Sequence, residues 1–385
     1  MKIPPKRILM IAIQNAQGVF IEGSEVLPVR TGYEQVIAER MSDTFASTAT
    51  GKGKVLKVSK NGIRVEYEGG ATRDYALGRI FGNAAGVIHP HMLTANFKEG
   101  DTFEKGDVLV YDANFFVPNR FVPGAVDFKN ARMATTVLID DYSTLEDGSC
   151  ITPSFAEHMR TAVTEIRSIT VDFDQHVDGL VKLNQHVDLD TVLCNILDPE
   201  GDTDPTQFDD DTRALLRKVG AKSPKAKSVG DVEHIEVFYY GKFEDINPQL
   251  QKVVQSIEAY NRKLAKEQGK PFYGGLVDSS FRLKGNALEP NSLAIRVYIT
   301  HAVGMGSGDK LVFGNQLKST ITEVMPNGCH AEDGTVLDAK FGATSIEARI
   351  VRSVKPVGFA NRLIKAASKH IASVYFGKAS PKFSN

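Results

Sequence analysis

The sequence predicts a mainly β protein of the α+β class, with a β-barrel core that is built from both ends of the chain. Strand-like alternation is concentrated in the first and last thirds, whereas the longest helical pattern lies in the middle. A second helical pattern lies near the C-terminal end. We therefore expect an inserted α+β module and a C-terminal helix, with the chain divided into residues 1–164, 165–285, 286–360 and 361–385.

The first of these regions is rich in strand and turn signals. The segment Lys54–Tyr67 alternates apolar and polar residues around Asn61-Gly62, a pair that supplies the two positive φ angles of a type I′ hairpin turn. Gly100-Asp101 and Gly106-Asp107 predict two further turns between short strands of a barrel or sandwich. The other elements expected here are a strand at Ala134–Ile139 and a short helix at Ala156–Arg167.

The middle and last regions combine strand, loop and helix signals. Residues 200–213 are acidic and residues 217–228 are Lys-rich, and both stretches are typical of an exposed connection. In Asn247–Gln268 apolar residues recur at helical spacing, and Gly269 and Pro271 end the pattern. The other expected elements are strands at Val187–Leu197, Val232–Tyr240, Ser292–Thr300, 318–325 and 335–341, and a helix at Asn361–Tyr375. The last helix has an apolar side (Leu363, Ile364, Ala367, Ile371 and Val374) and a side that we expect to be exposed (Lys365, Lys369 and His370).

Composition is that of an ordinary globular protein. The 385 residues carry a net charge of −1, so any contact with nucleic acid has to come from a local patch or from a channel completed by other chains. The three widely spaced cysteines, Cys150, Cys194 and Cys329, fit neither a disulfide framework nor a zinc motif and favour a reducing compartment. The apolar run Ile8–Ile13 is too short to cross a membrane. We therefore expect a cytoplasmic protein without a membrane partner.

Lys310 and Lys318 are the first candidates for chemistry. A strand–turn–strand pattern separates them, and three preceding glycines permit close backbone approach. Two ammonium groups at this spacing can point into the same cleft and hold polyphosphate or the 3′ end of a nucleic acid. The alternative is a pair of surface lysines beside a flexible turn.

The adjacent carboxylates of Glu146 and Asp147 are the second candidates. They lie between a predicted strand and the small residues Gly148-Ser149, where they can order a triphosphate or bind Mg²⁺ through water. Neighbouring side chains on an extended chain point apart, so joint chelation of one ion is not expected. The alternative is a solvated acidic turn.

Other metal and catalytic motifs are not supported by the sequence. Counted from Asp202, the acidic stretch has Gln207 where a calcium loop needs glycine and Arg213 where it needs glutamate. His176 and His186 share the context Gln-His-Val-Asp, but no third metal ligand is obvious. No nucleophile elbow, P-loop or dinucleotide fingerprint is present, so the chain is a poor candidate for an enzyme that acts alone.

A collinear series of short segments gives these candidates a context. The segments are Lys6–Met10 with Gln17 and Pro28–Glu34, Gly53–Tyr67, Phe97–Tyr111, Leu145–Gly148, Ile295–Tyr298 with Gly308–Leu311, Lys318–Thr322 with Asp333–Asp338, and 361–375. In this order they resemble the later part of the β (second-largest) subunit of multisubunit RNA polymerases. The matching family motifs include P-L-V-G-T-G-x-E, N-F-E-D-A, P-G-D-K-M and K-G-V-I-S. The resemblance extends over nearly the whole chain.

The resemblance implies a role for each candidate residue. Lys310 and Lys318 would lie in a double-psi β-barrel, near the RNA 3′ end and the incoming nucleotide. Glu146 and Asp147 would help to position the nucleotide with its second Mg²⁺. The catalytic Mg²⁺ would be held by an aspartate triad of a β′-like partner, and residues 165–285 would take the place of the flap.

Departures from the family pattern leave two functions open. The family has Gly-Arg-His-Gly-Asn between its lysines, whereas this chain has residues 313–317 with the sequence Phe-Gly-Asn-Gln-Leu, and Ser319 replaces the glycine after Lys318. The family's N-terminal lobes and the C-terminal segment that embraces β′ have no counterpart among these segments. The resemblance therefore implies a subunit of a split, phage-encoded DNA-directed RNA polymerase. A β′-like subunit and an N-terminal β-like chain would complete it, and DNA template, RNA transcript and nucleoside triphosphates would bind to the assembly in the host cytoplasm. The alternative is a polymerase-derived barrel reused as a structural or interaction protein of a virion.

Overall fold

The computed structural model describes residues 4–377 with the exception of 17–18, 85, 130, 199–221 and 315. In chain order the strands are β1 (Ile8–Asn15), β2 (Ala46–Thr48), β3 (Gly53–Val58), β4 (Gly62–Tyr67), β5 (Thr72–Ala76), β6 (Gly78–Ala84), β7 (Val87–Ala95), β8 (Thr102–Phe103), β9 (Val108–Asp112), β10 (Phe116–Pro118), β11 (Val126–Phe128), β12 (Arg132–Leu138), β13 (Gly148–Ile151), β14 (Thr161–Asp172), β15 (His176–Asp178), β16 (His186–Val187), β17 (Asn195–Leu197), β18 (Gly230–Tyr240), β19 (Gly275–Leu276), β20 (Arg282–Leu283), β21 (Asn286–Ala287), β22 (Ser292–Val303), β23 (Lys310–Phe313), β24 (Leu317–Val324) and β25 (Ala339–Phe341). The helices are α1 (Tyr33–Val36), α2 (Pro153–His158), α3 (Pro248–Glu267), α4 (Ala343–Glu347) and α5 (Val354–Tyr375). Short 3₁₀ turns cover Pro5–Arg7, Ile37–Glu39, Tyr142–Asp147 and Phe243–Asp245.

Six strands close into a barrel, in the order β1, β12, β25, β13, β24 and β23. Three of them precede residue 152 and three follow residue 309, so the predicted barrel with strands from both ends of the chain is confirmed. β12 runs parallel to β25, and β13 runs parallel to β24. The other neighbouring strands are antiparallel.

Alternate residues of these strands fill the barrel interior. Phe313 on β23 and Phe341 on β25 stack with ring centroids 4.4 Å apart, although their strands are not neighbours. The two rings therefore meet inside the barrel, and both are fully buried. The barrel residues that share this core are Leu9, Ile11, Ile13, Ala134, Leu138, Ile151, Leu311, Leu317, Ile321 and Ala339.

The largest sheet contains nine strands on the path β16, β18, β22, β14, β7, β9 and β2, with β19 beside β18 and β6 beside β7. Its centre is a ladder in which β14 and β22 pair from Thr161–Val303 to Asp172–Ser292. One face of this ladder packs against Leu250 and Val254 of α3. The remaining sheets are β5-β4-β3-β8 and the two-stranded pairs β10–β11, β15–β17 and β20–β21.

Helix α5 completes an edge of β1 that β23 leaves open. β23 pairs with β1 over Ile13–Asn15 only. Further along, the Met10 carbonyl accepts a hydrogen bond from the Asn361 side chain (3.3 Å), and the Ile8 carbonyl accepts one from the Arg362 guanidinium (3.2 Å). Carbonyls two residues apart on a strand point to the same side. The Asn361 and Arg362 side chains therefore donate to β1 at positions where a further strand would otherwise pair.

Most predicted elements are present, with changed bounds in some places. The α3 prediction is confirmed: the Asn247 side chain accepts from the Gln249 N–H (3.0 Å), and Gly269 has a φ of 63° just beyond the helix. The terminal helix begins at Val354 rather than Asn361. The strand predicted at Val187–Leu197 is reduced to the ends of that segment, in β16 and β17. The acidic stretch and part of the Lys-rich stretch fall within 199–221, outside the described residues.

The helix predicted at Ala156–Arg167 is wrong beyond its first residues. α2 ends at His158, and β14 begins at Thr161. Residues 161–171 contain several β-branched side chains, which favour a strand, and each pairs with a residue of β22. Tertiary pairing therefore outweighs the local helical spacing.

The hairpin Lys54–Tyr67 is present, but its predicted turn type is wrong. Neither Asn61 nor Gly62 has a positive φ, as a type I′ turn requires. Gly62 instead permits a close approach, since a Cβ atom there would lie 1.8 Å from the carbonyl oxygen of Glu267 at the end of α3. The Asn61 side chain also donates to the Glu267 carboxylate (2.8 Å). This turn thus joins the four-stranded sheet to α3.

Candidate functional site

The two candidate lysines lie on one hairpin of the barrel and share its outward face. Lys310 begins β23 and Lys318 is the second residue of β24, and both are exposed. Lys310 lies opposite Thr320, and Val312 lies opposite Lys318. Opposed residues of antiparallel strands point to the same side, so the lysines are diagonal neighbours with α-carbons about 7–8 Å apart.

The glycine-rich segment before Lys310 is tied to β24. The Gly308 N–H donates to the Ile321 carbonyl (2.7 Å), and the Ile321 N–H donates to the Asp309 carbonyl (2.9 Å). Gly308 has a φ of 94°, a conformation that favours glycine. The Asp309 carboxylate accepts the Gly306 N–H (2.8 Å). These bonds fix the backbone that leads into Lys310.

Glu146 and Asp147 form a strained turn that enters β13. Their φ angles are 49° and 65°, a left-handed conformation that is costly for residues with a side chain. The preceding 3₁₀ turn is capped by Asp141, whose carboxylate accepts the Ser143 N–H (2.9 Å). Glu146 is exposed and Asp147 is partly buried. The sequence analysis treated the two residues as neighbours on an extended chain. The structure instead places both in a left-handed turn.

An ion pair anchors the start of this turn to the barrel. The Lys340 ammonium on β25 lies 2.8 Å from the Asp141 carboxylate. Partial burial opposes ionisation of Asp141, but the hydrogen bonds from Lys340 and Ser143 outweigh it and lower the pKa of the carboxyl. Burial likewise favours neutral Lys340, yet the Asp141 carboxylate raises the pKa of the ammonium overall.

Parallel pairing of β13 with β24 brings the acidic turn beside the lysine hairpin. Gly148, directly after Asp147, pairs with Thr320, which lies opposite Lys310. Two strand spacings therefore separate the α-carbons of Gly148 and Lys310, a distance of about 10 Å. The Ser319 hydroxyl donates to the Asp147 carbonyl (2.6 Å), which ties the turn directly to the residue after Lys318. Lys310 and Lys318 thus lie on β23 and β24, and the turn that holds Glu146 and Asp147 leads into the adjacent strand β13.

Sequence reasoning missed Arg349, which forms an ion pair with the Asp147 carboxylate. Arg349 follows α4 and keeps 52% of its side chain exposed. No periodicity or short motif links two residues so far apart in sequence, so only the fold reveals the pair. Arg349 therefore neutralises one of the two candidate carboxylates, while Lys310 and Lys318 remain exposed on the neighbouring hairpin.

Lys310 and Lys318 give one face of the hairpin positive charge that can attract an anionic group. Within the described ranges, no group of three or more His, Cys, Asp or Glu side chains is placed to hold a metal. The candidate histidines lie on different strands: His176 contacts Gln249 (2.9 Å) and His186 contacts Asp231 (2.8 Å). Asp147 is engaged by Arg349, so an outer-sphere role suits these carboxylates better than direct coordination.

A buried His91–Asp112 pair also escaped the sequence analysis. The His91 Nδ1 atom lies 2.7 Å from one Asp112 carboxylate oxygen. The other oxygen accepts the N–H groups of Met92 (3.0 Å) and Asn114 (2.9 Å). Both carboxylate oxygens are satisfied by the surrounding residues, so the pair acts as a structural link between β7 and β9.

No model of a known protein family matches this chain, and no curated protein matches it. In the part of the chain that the structure describes, no helix has the length and apolar character needed to span a membrane.

Proposed function

We propose that the chain is the C-terminal, β-like part of a split, phage-encoded DNA-directed RNA polymerase and contributes the β side of the active-site cleft for nucleotidyl transfer. The observation that carries this proposal is the grouping of Lys310, Lys318, Glu146 and Asp147. They come from segments more than 160 residues apart, and the fold brings the turn before β13 beside the β23–β24 hairpin of a closed barrel. All four residues lie in segments that resemble the β subunit.

The proposed chemistry is electrostatic. Lys310 and Lys318, on a shared face, would attract the phosphates of the RNA 3′ end and of the incoming nucleoside triphosphate. Glu146, beside them, would position the nucleotide with its Mg²⁺ through water, while a β′-like partner would hold the metal directly. In this proposal the barrel has double-psi topology, and residues 165–285 correspond to the flap.

The proposal requires partner chains, because this chain lacks a carboxylate triad of its own among the described residues. A β′-like subunit would supply the catalytic Mg²⁺ ligands, and an N-terminal β-like chain would complete the β side. DNA template and RNA transcript would then run through the shared cleft. We expect this assembly to act in the cytoplasm of the infected host.

Primed RNA extension by the co-expressed assembly tests the proposal. Lys310→Ala and Lys318→Ala should each lower the extension rate about 10- to 100-fold, equivalent to about 1.4–2.8 kcal/mol of lost transition-state stabilisation. Lys57→Ala is the matched control, since Lys57 is also an exposed strand lysine but lies in the four-stranded sheet. Equal extension by all three variants would contradict the active-site assignment.

The Asp147–Arg349 ion pair favours a second candidate, a polymerase-derived barrel that serves as a structural protein of a virion. A carboxylate neutralised within its own chain is less available to a nucleotide or metal. This candidate predicts a fixed high copy number in purified particles that contain no β′-like chain. Quantitative mass spectrometry of particles, together with a search of neighbouring genes for an Asp-Phe-Asp-Gly-Asp protein, separates the two candidates.

A further inference from the structure

A cleft lies between the C-terminal end of α3 and the four-stranded sheet. Its volume is about 410 Å³, within the range of about 300–1,000 Å³ that is typical of small-molecule sites. The residues that line it belong to the β3–β4 hairpin, to β5 and to α3, and none of these elements is part of the barrel. The cleft is therefore separate from the candidate site described above.

Direct contacts between its two walls hold the cleft in shape. A Cβ atom at Gly62 would lie 1.8 Å from the Glu267 carbonyl oxygen, and one at Gly269 would lie 2.7 Å from the Asp74 Cβ atom. The Asn61 amide donates to the Glu267 carboxylate (2.8 Å). Such close approach leaves no room for the hairpin to settle further onto the helix, so the cleft is a preformed feature of the fold.

The side chains that line the cleft carry more positive than negative charge. The cations are Lys57, Arg64, Lys263 and Lys266, and the carboxylates are Asp74 and Glu267. Arg64 engages both carboxylate oxygens of Asp74 (2.7 and 2.8 Å), and one oxygen of Glu267 accepts from Asn61. The three lysines are exposed, and none of them belongs to an ion pair among the described residues.

Like charges are neighbours on both walls of the cleft. Lys57 lies directly opposite Arg64 in the β3–β4 pairing, and Lys263 and Lys266 are one turn apart on α3. Like charges at such positions destabilise a sheet or a helix. Lys266 also complements the negative C-terminal end of the helix, but this explains neither Lys57 nor Lys263. An anion bound between the strand and the helix would reduce both repulsions.

We propose that this cleft binds a small molecule through a chain of two or three phosphate groups, held by the ammonium groups of Lys57, Lys263 and Lys266. Lysine ammonium groups are compact charges that suit phosphate, and three of them on two walls suit more than one phosphate group. The described residues that line the cleft include no aromatic side chain for stacking on a base, so the phosphates would provide the recognition. The inference does not rest on the proposed polymerase function: the cleft lies outside the barrel, so loss of a cleft lysine should not affect primed RNA extension.

Isothermal titration calorimetry of the full chain with sodium tripolyphosphate tests the proposal. Tripolyphosphate should bind at least about tenfold more tightly than orthophosphate, because only the longer chain can contact lysines on both walls at once. Lys263→Gln should weaken this binding about fivefold or more, whereas Lys263→Arg, which keeps the charge, should weaken it less. The matched control is Lys252→Gln, which removes an exposed lysine on the same side of α3 about 16 Å away and should change the affinity by less than about twofold.

Four results would overturn the proposal. The first is absence of binding at millimolar tripolyphosphate. The second is equal weakening by Lys263→Gln and Lys252→Gln, which would identify a diffuse attraction to the surface. The third is loss of binding when Lys310→Ala and Lys318→Ala are combined but not in Lys263→Gln, which would place the ligand on the barrel hairpin. The fourth is binding of a single-stranded DNA oligonucleotide that Lys263→Gln abolishes while tripolyphosphate does not bind, which would identify a nucleic-acid backbone. Circular dichroism of each variant checks that the fold is retained, as expected for exposed positions.

Discussion

Gly148 lies where the Glu146–Asp147 turn enters the barrel, and alanine at this position should displace that turn. A Cβ atom at Gly148 would lie 2.8 Å from the Ser143 carbonyl oxygen and 2.9 Å from that of Leu145. The Ser143 oxygen belongs to the 3₁₀ turn that Asp141 caps, whereas Leu145 has a ψ of 151° and lies in the backbone between that turn and Glu146. Relief to an ordinary contact requires a shift of about 0.5 Å, and overpacking of this kind costs about 1–3 kcal/mol.

The same displacement should reduce activity if the proposed site is real. A misplacement of about 1 Å at a reacting centre can cost about 100-fold in rate, so a shift of half that size predicts a loss of about tenfold. Gly306→Ala is the control, because Gly306 also lies close to a candidate residue, Lys310. Its φ is not positive, and a Cβ atom there would have no neighbour within 4 Å. The free energy of unfolding should therefore change by less than about 0.5 kcal/mol. Urea unfolding measures stability, and primed RNA extension measures activity. If Gly148→Ala matches Gly306→Ala in both, the packing argument for this turn is refuted.

Two further predictions concern pH and the turn beneath α3. The pKa of Asp141 is lowered in the folded protein, so its ion pair adds to the free energy of unfolding above pH 3.8, and this contribution is lost as the pH falls through the folded pKa. The pKa of Lys340 is raised, so its contribution is present below pH 10.5 and is lost as the pH rises through the folded pKa. Asp141→Asn should therefore cost about 1 kcal/mol at neutral pH and flatten the acid limb of urea unfolding midpoints, whereas an unchanged limb would contradict the ion-pair account. Gly62→Ala should lower the free energy of unfolding by about 1–3 kcal/mol, because the new Cβ atom would clash with Glu267. Gly51→Ala is the control and should be close to neutral, since its Cβ atom would lie 3.7 Å from the nearest neighbour. Equal midpoints of the two variants in thermal unfolding would refute this prediction.

Local patterns predicted elements that depend on local physics. Helix α3 could be predicted because its apolar spacing, its Asn247 cap and Gly269 all act within a few residues. The strands around Ala134 and Val232 likewise follow from β-branched and apolar runs. The helix prediction was wrong for residues 161–167 because pairing with β22 decides their conformation, and β22 lies more than 120 residues away in the sequence.

The candidate site could be predicted only as separate pieces. Its motifs indicated Lys310, Lys318, Glu146 and Asp147, but no sequence pattern specifies which strands pair or in which register. The pairing of Gly148 with Thr320 determines that the pieces meet. Arg349 and the outward orientation of the apolar side of α5 are likewise consequences of tertiary structure, since periodicity identifies an apolar side but not what covers it.

The β14–β22 ladder explains how a barrel can be assembled from chain segments so far apart. Gly148 and Thr320 are separated by more than 170 residues, and closing a flexible loop of that length would carry a large entropic cost. The ladder brings Thr161 and Val303 into register, so β13 ends only ten residues before it begins and β23 begins seven residues after it ends. Once the ladder forms, the barrel halves are joined by two short connections, and the effective loop is short. We therefore expect the candidate site to form after the nine-stranded sheet. In native-state hydrogen exchange, the Glu146–Asp147 turn and the hairpin of Lys310 and Lys318 should open before the nine-stranded sheet does.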